Sequence, residues 1–179
     1  MLFDQAAMHS WTDRTRAASR EYWSVRVPVL ISDPFLKSPP ARQRRQFWTC
    51  DIGYTGAAYC LENHLREAGL DPAVWSFEGT VANRSSLRPD KVHLPARQVR
   101  LWIPCDTSDK QTRYLMFDPH PGVVFGAPRK VLDPEFDRPL IGMKLLANSG
   151  LKIELDFVAK TFSIWLMDEH SPNLITVPK

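Results

Sequence analysis

Fifteen prolines are spread through 179 residues that hold only eight glycines. Proline breaks helix interiors and central strands, so this spread disfavours a long helical bundle and favours short elements joined by loops. The length suits one domain and is enough to bury about two-thirds of the unfolded surface. With 44% hydrophobic and 24% charged residues, the chain has an ordinary globular composition. No apolar run approaches the length of a membrane span. The first residues, Met1-Leu2-Phe3-Asp4-Gln5, lack the charged-then-apolar layout of a secretory signal, and position 2 is not Gly. Neither export nor myristoylation is therefore expected. Three widely spaced cysteines, Cys50, Cys60 and Cys105, form no C-x-x-C pair. A reducing compartment is expected, without a disulfide framework or a zinc site.

Residues 1–19 are polar and without sustained periodicity, and are expected to form a flexible N-terminal arm before a globular unit over 20–179. From Trp23 to Ile31, Val25, Val27 and Val29 alternate with Ser24 and Arg26, which predicts a half-buried strand. Pro28 places it at an edge or bulge. Tyr54, Ala58, Leu61, Leu65 and Ala68 recur at helical steps, so a helix is expected over 53–68. Thr55 is its candidate cap, and Gly69 its left-handed C-terminal residue. Residues 79–95 and 118–128 are expected to be loops. Hairpins are expected for 99–103 with 113–117, and for 140–146 with 151–158 around Asn148-Ser149-Gly150. A last apolar segment runs from Phe162 to Met167. The predicted class is α+β: a small, twisted, largely antiparallel sheet packed against a few helices.

The cysteines offer the first candidate chemistry. A papain- or transglutaminase-like hydrolase or transferase wants a Cys near a helix N-terminus, then a His and an Asp. Cys50 or Cys60, His93 and Asp118 occur in that order. Against this, Cys60 is expected mid-helix as a small buried hydrophobe, and no Gly-rich turn exposes Cys50. His9, His64, His93, His120 and His170 show no i,i+4 pair and no H-E-x-x-H, and His64 is expected to face solvent. No phosphate-cradling Gly motif occurs, so no metal and no cofactor is expected.

Two surface features are more suggestive. Arg14, Arg16, Arg20, Arg26, Lys37, Arg42, Arg44 and Arg45 crowd the first quarter of a chain whose net charge is only +3. Such a stretch suits phosphates or anionic lipid head groups. The segment Pro72-Ala73-Val74-Trp75-Ser76-Phe77 carries large apolar side chains straight into a polar stretch. Trp suits both protein pockets and the head-group layer, so this segment is a candidate anchor for membrane attachment or self-association.

The order of short motifs resembles the matrix proteins of rhabdoviruses, the vesiculovirus type in particular. Trp23-Ser24-Val25-Arg26-Val27-Pro28-Val29 leading to Asp33-Pro34-Phe35 is similar to that family's Phe-rich strand and Arg-Pro-Phe turn. Gln46-Phe47-Trp48 with Ile52-Gly53-Tyr54-Thr55-Gly56 resembles its Trp-containing lead into an Ile-Gly-x-x-Gly helix start. Pro72-Ala73-Val74 is similar to the opening of its exposed hydrophobic loop, and Val92-His93-Leu94-Pro95 to a Tyr-Leu-Pro. The run from Pro134-Glu135-Phe136 through Arg138-Pro139-Leu140-Ile141-Gly142 resembles a Pro-Glu-x-Phe-Arg-Arg-Pro-Phe-Asn-Ile-Gly segment, and Ile164-Trp165 to His170 an Ile-Trp-Asp-His. The family's Pro-Pro-x-Tyr motif is missing, and Pro39-Pro40-Ala41-Arg42 is not an equivalent.

The resemblance implies a structural, non-enzymatic protein of the virion. It would line the inner face of the envelope, condense the nucleocapsid and drive budding, in host cytoplasm, at the host membrane's inner face and in the nucleus. Its partners would be itself, the viral nucleocapsid, anionic membrane lipids and host proteins. Pro72, Ala73, Val74, Trp75 and Phe77 would form the membrane or self-association loop. Arg14, Arg16, Arg20, Lys37, Arg42, Arg44 and Arg45 would contact lipid or nucleocapsid.

Overall fold

The computed structural model describes residues 2–13, 20–71, 80–85, 88–106, 112–117, 123–126, 139–168 and 171–177. In chain order the elements begin with β1 (Phe3–Ala7), β2 (His9–Asp13), β3 (Arg20–Ser32), β4 (Gln46–Asp51), β5 (Ala58–Leu61) and α1 (Glu62–Glu67). Next come β6 (Thr80–Ser85), β7 (Arg88–Arg97), β8 (Arg100–Asp106), β9 (Thr112–Met116) and β10 (Val123–Gly126). The chain ends with β11 (Leu140–Gly142), α2 (Met143–Asn148), β12 (Leu151–Asp156), β13 (Thr161–Leu166) and β14 (Leu174–Val177). The chain mixes strand and helix and is mostly antiparallel sheet. The sheet is not small: eleven strands follow the path β14-β9-β8-β3-β4-β11-β5-β10-β7-β6, with β2 beside β3. Among the described residues a second, three-stranded sheet has the order β1-β13-β12. Helix is limited to two six-residue pieces among the described residues.

β3 is the hub. It pairs with β2 over 20–24, with β4 over 25–29 and with β8 over 30–32, always antiparallel. Its alternation is the reason: Val25, Val27, Val29 and Ile31 are all buried in the core, and Arg26 points the other way. Each such aliphatic contributes roughly 1.5–3 kcal/mol on burial, against about 1 kcal/mol for the ladder bond that Pro28 cannot donate. Pro28 falls within the β4-paired stretch, beyond the registers held by β2 and β8. The small sheet joins the same core through Leu2, Met8, Phe162, Ile164 and Leu166.

Several expectations are corrected. The first part of the expected arm is not an arm: Leu2 and Met8 are buried, and their N–H groups donate to the carbonyls of Ile164 and Lys160 at 2.8 Å each. The polar residues between them face outward, which hides the pattern in the sequence. The expected 53–68 helix is really a strand followed by a short helix. Ala58, Tyr59 and Cys60 are all buried, because β5 lies between β10 and β11. A short run buried on both faces carries no period, so the helical spacing there was coincidental. Thr55 therefore caps nothing in α1. Gly69 does end α1 with φ +78°, and Leu70 N–H reaches back to the Leu65 carbonyl at 2.9 Å.

The polar stretch 79–95 holds the hairpin β6–β7, and 118–128 contains β10. Residues 140–146 do not pair with 151–158. Gly142 leads into α2 instead, and Gly150 ends the turn after it with φ +63°. The true hairpin is β12–β13, whose turn is held by Asp156 Oδ1 accepting from Val158 and Ala159 N–H at 2.8 Å. The hairpin expected for 99–103 and 113–117 is present as β8–β9.

Beyond Val29, β4 no longer accompanies β3, and a side chain takes over the ladder. Gln43 Oε1 accepts from Ile31 N–H at 2.7 Å, and Gln43 Nε2 donates to the Ile31 carbonyl at 2.7 Å. The same Nε2 donates to the Ala68 carbonyl just past α1 at 2.6 Å. One amide thus fixes the 33–45 loop against both β3 and α1. Gln43→Ala leaves these backbone groups without their partner, at about 1–3 kcal/mol for a buried one. The expected outcome is a loss of roughly 2–3 kcal/mol in urea denaturation, with the fold retained by circular dichroism. A loss under about 0.5 kcal/mol, typical of an ordinary surface change, would show that the clamp is not structural.

Candidate functional site

Cys50 and Cys60 both lie where burial works against thiolate formation. Cys60 is fully buried in β5 rather than in a helix, and burial pushes its thiol upward. Cys50, on β4 opposite Val25 and Ile141, has its thiol pushed up to about 12 by burial. A nucleophilic Cys needs the opposite shift. His93 is described only as a β7 backbone position paired with Ala82, and Asp118 lies outside the described residues. Among the described residues no group of three His, Cys, Asp or Glu side chains could hold a metal ion.

The arginines of the 33–45 loop are placed differently. On β4, Trp48 points into the core, so Phe47 and Thr49 point outward. They stand directly opposite Pro28 and Arg26 of β3. α1 is tied to the start of β4 by Gln46, whose Nε2 donates to the His64 carbonyl at 2.6 Å. Gln46 Oε1 in turn accepts from Trp48 Nε1 at 3.3 Å. The result is an open cleft of about 600 Å³, lined by Arg26, Arg44, Arg45, Gln46, Phe47, His64, Glu67 and Pro139.

Three guanidinium groups and one carboxylate, that of Glu67, line the cleft; Arg26 has a partner of its own, so the charge open to an anion is that of Arg44 and Arg45. Among the described residues, neither Arg44 nor Arg45 has an acidic partner. Arg66, on the same helix as His64 and Glu67, is by contrast committed to Glu62 at 2.9 Å and Asp71 at 3.4 Å. Guanidinium forks match phosphate oxygens in pairs, and Phe47, 56% exposed, adds an apolar wall. The volume admits a phosphate together with the group that carries it.

Of the basic residues expected to make contact, the cleft collects Arg44 and Arg45. Lys37 and Arg42 are exposed elsewhere on the same loop, Lys37 directly after the exposed Phe35 and Leu36. Arg20 opens β3 opposite Asp13, and Arg14 and Arg16 lie outside the described residues. Pro72, Ala73, Val74, Trp75 and Phe77 also lie outside them. Sequence reasoning missed Arg26, Phe47 and His64 as one site. Strand parity held the signal for the first two: each sits one position from a core residue on its strand. Nothing local marked His64, whose half-buried position depends on where α1 docks.

The raised thiols make stability depend on pH. A group whose pKa is higher when folded stabilises fully below its unfolded value, and that contribution is lost as pH climbs to the folded one. For Cys50 the window runs from 9.0 to about 12. Urea denaturation at pH 8 and pH 10 is expected to show lower stability at pH 10, with each buried thiol adding at most about 1.4 kcal/mol per pH unit. Cys50→Ser with Cys60→Ala should flatten that slope, and an unchanged slope would place the thiols in water.

Comparison of the chain with protein-family models, with curated proteins and with solved structures finds no match.

Proposed function

We propose that this protein is a structural component of the viral-matrix type, which gathers at an anionic membrane face and there holds a nucleocapsid. The observation that carries this reading is the arginine cleft over β3, β4 and α1, with Phe47 exposed beside Arg26, Arg44 and Arg45. It offers charge and an apolar wall for phosphate-bearing surfaces. The buried thiols speak for the same side, since neither is poised for covalent chemistry. The motif order that resembles vesiculovirus-type matrix proteins supplies the finer content: self-association, condensation and budding, with Trp75 and Phe77 engaging lipid or a neighbouring copy. None of the described helices is long and apolar enough to cross a membrane.

A basic residue near an anionic leaflet contributes about 1 kcal/mol, so one cleft gives reversible attachment and firm attachment needs many copies. The test is flotation with phosphatidylserine vesicles across a salt series. The native chain is expected to float at low salt and to detach as the Debye length shrinks. Arg44→Glu with Arg45→Glu changes the local charge by four units, and is expected to weaken binding by roughly two orders of magnitude or more. Flotation that is indifferent to both salt and this double change would end the reading.

A further inference from the structure

Sheet ends invite pairing with another chain, and folded proteins blunt them with bulges, short strands or inward charges. Two ends here are blunted by a register shift, in β1 between Phe3 and Ala6, where Gln5 has φ +46°, and in β6 between Asn83 and Ser85. A third, β14, is four residues long. β12 differs from all of these. Its six residues, Leu-Lys-Ile-Glu-Leu-Asp, hold an unbroken register against β13, contain neither Pro nor Gly, and among the described residues pair with β13 alone.

The direction of its backbone groups follows from one bond. Met167 N–H donates to the Gly150 carbonyl at 3.0 Å, in the same register as the ladder, so Gly150 faces β13. Facing alternates along an antiparallel ladder, and the N–H and C=O groups of Leu151, Ile153 and Leu155 therefore point away from β13, into the open edge. The side chains alternate too. Leu151 and Ile153 pack against the core and Leu155 follows them on that face, whereas Lys152, Glu154 and Asp156 are exposed on the other.

We propose that this edge pairs, antiparallel and about a two-fold axis, with the β12 of a second copy, Ile153 lying opposite Ile153. Backbone facing restricts a symmetric pair to a residue-on-residue centre, and charge selects among the centres. Centring on Lys152 sets Lys152 against Lys152, and centring on Glu154 sets Glu154 against Glu154. Centring on Ile153 sets Lys152 opposite Glu154 twice and Leu151 opposite Leu155 twice. The ladder then closes with outward-facing groups meeting outward-facing groups at Leu151, Ile153 and Leu155, and the three-stranded sheet becomes a continuous six-stranded one. Lys152 already lies 2.5 Å from Glu154 and 5.2 Å from the Trp165 ring, so the charged face is held in place before a partner arrives. An isologous interface of this kind uses one patch twice. It deepens the self-association in the proposed function and rests on that reading only for its purpose, because the strand edge needs no lipid or nucleocapsid.

Sedimentation equilibrium of the full chain, without vesicles or nucleic acid, tests the pairing and leaves the cleft untouched. The native chain is expected to reach a dimer at micromolar to tens of micromolar concentration. Lys152→Glu alone, or Glu154→Lys alone, places like charges opposite at two sites and should weaken the dimer roughly ten- to thirtyfold. The charge swap, with both changes in one chain, should restore it. An equimolar mixture of the two single variants should form a heterodimer, since each supplies the charges the other lacks. Circular dichroism checks that every variant keeps its fold. A native chain that stays monomeric, a dimer insensitive to either single change, or single variants that fail to recombine on mixing would each overturn the pairing.

Discussion

The buried row Val25, Val27, Val29 and Ile31 is the constraint from which the rest of the structure is built. A one-residue slip would turn all of it outward and Arg26 inward, so the register of β3 is fixed by hydrophobic burial alone. Once β3 is fixed, β2, β4 and β8 have defined places along it, and so do the strands beyond them. The same parity fixes the outer face, where Arg26 and Phe47 must appear if Val27 and Trp48 are inside. Core and cleft are thus two sides of one alternation.

Two glutamines then turn a loop that the sequence leaves open into a shaped site. Gln43 continues the ladder where β4 has departed, and Gln46 takes hold of α1 one turn earlier. Both end on carbonyls of the 64–68 segment, so the position of α1 against β3 and β4 is set by amide geometry. Arg44 and Arg45 lie between these two anchored residues. Their placement costs little chain entropy, because the residues on either side are already held.

How much was legible follows from these same elements. β3, the β8–β9 hairpin, the segments at β12 and β13 and the left-handed Gly69 were legible, since each announces itself by local period or by turn chemistry. β5 was not: buried on both faces between a parallel and an antiparallel neighbour, it shows no alternation, and its chance 3.6 spacing imitates a helix. α2 was missed because Gly142 reads locally as strand. It is accepted into α2 by the 54–57 turn, where Ala57 O accepts from Gly142 N–H at 2.7 Å and Tyr54 O from Met143 N–H at 2.8 Å, and a Cβ at Gly142 would overlap Gly56 and Tyr54 backbone oxygens. That contact spans more than eighty residues of sequence. Of the cleft, Arg26, Arg44 and Arg45 were legible as charge, whereas Phe47, His64 and the meeting of all five were legible only as topology.

The cleft and the β12 edge obey one physical logic from opposite directions. A few arginines facing phosphate in open solvent give a bond that salt can dissolve. A six-residue strand edge gives main-chain hydrogen bonds that salt leaves largely intact, yet it buries little area and holds weakly alone. Joined on one chain, each multiplies the other. In the proposed assembly a pair of copies carries two clefts, and where both meet one anionic surface the second would bind at an effective concentration set by the dimer rather than by the solution. Attachment in turn concentrates copies and drives the edges together. Assembly and surface binding, as proposed, would then rise and fall as one transition, steep in both protein concentration and salt. That steepness is what separates a protein that coats a surface from one that merely visits it.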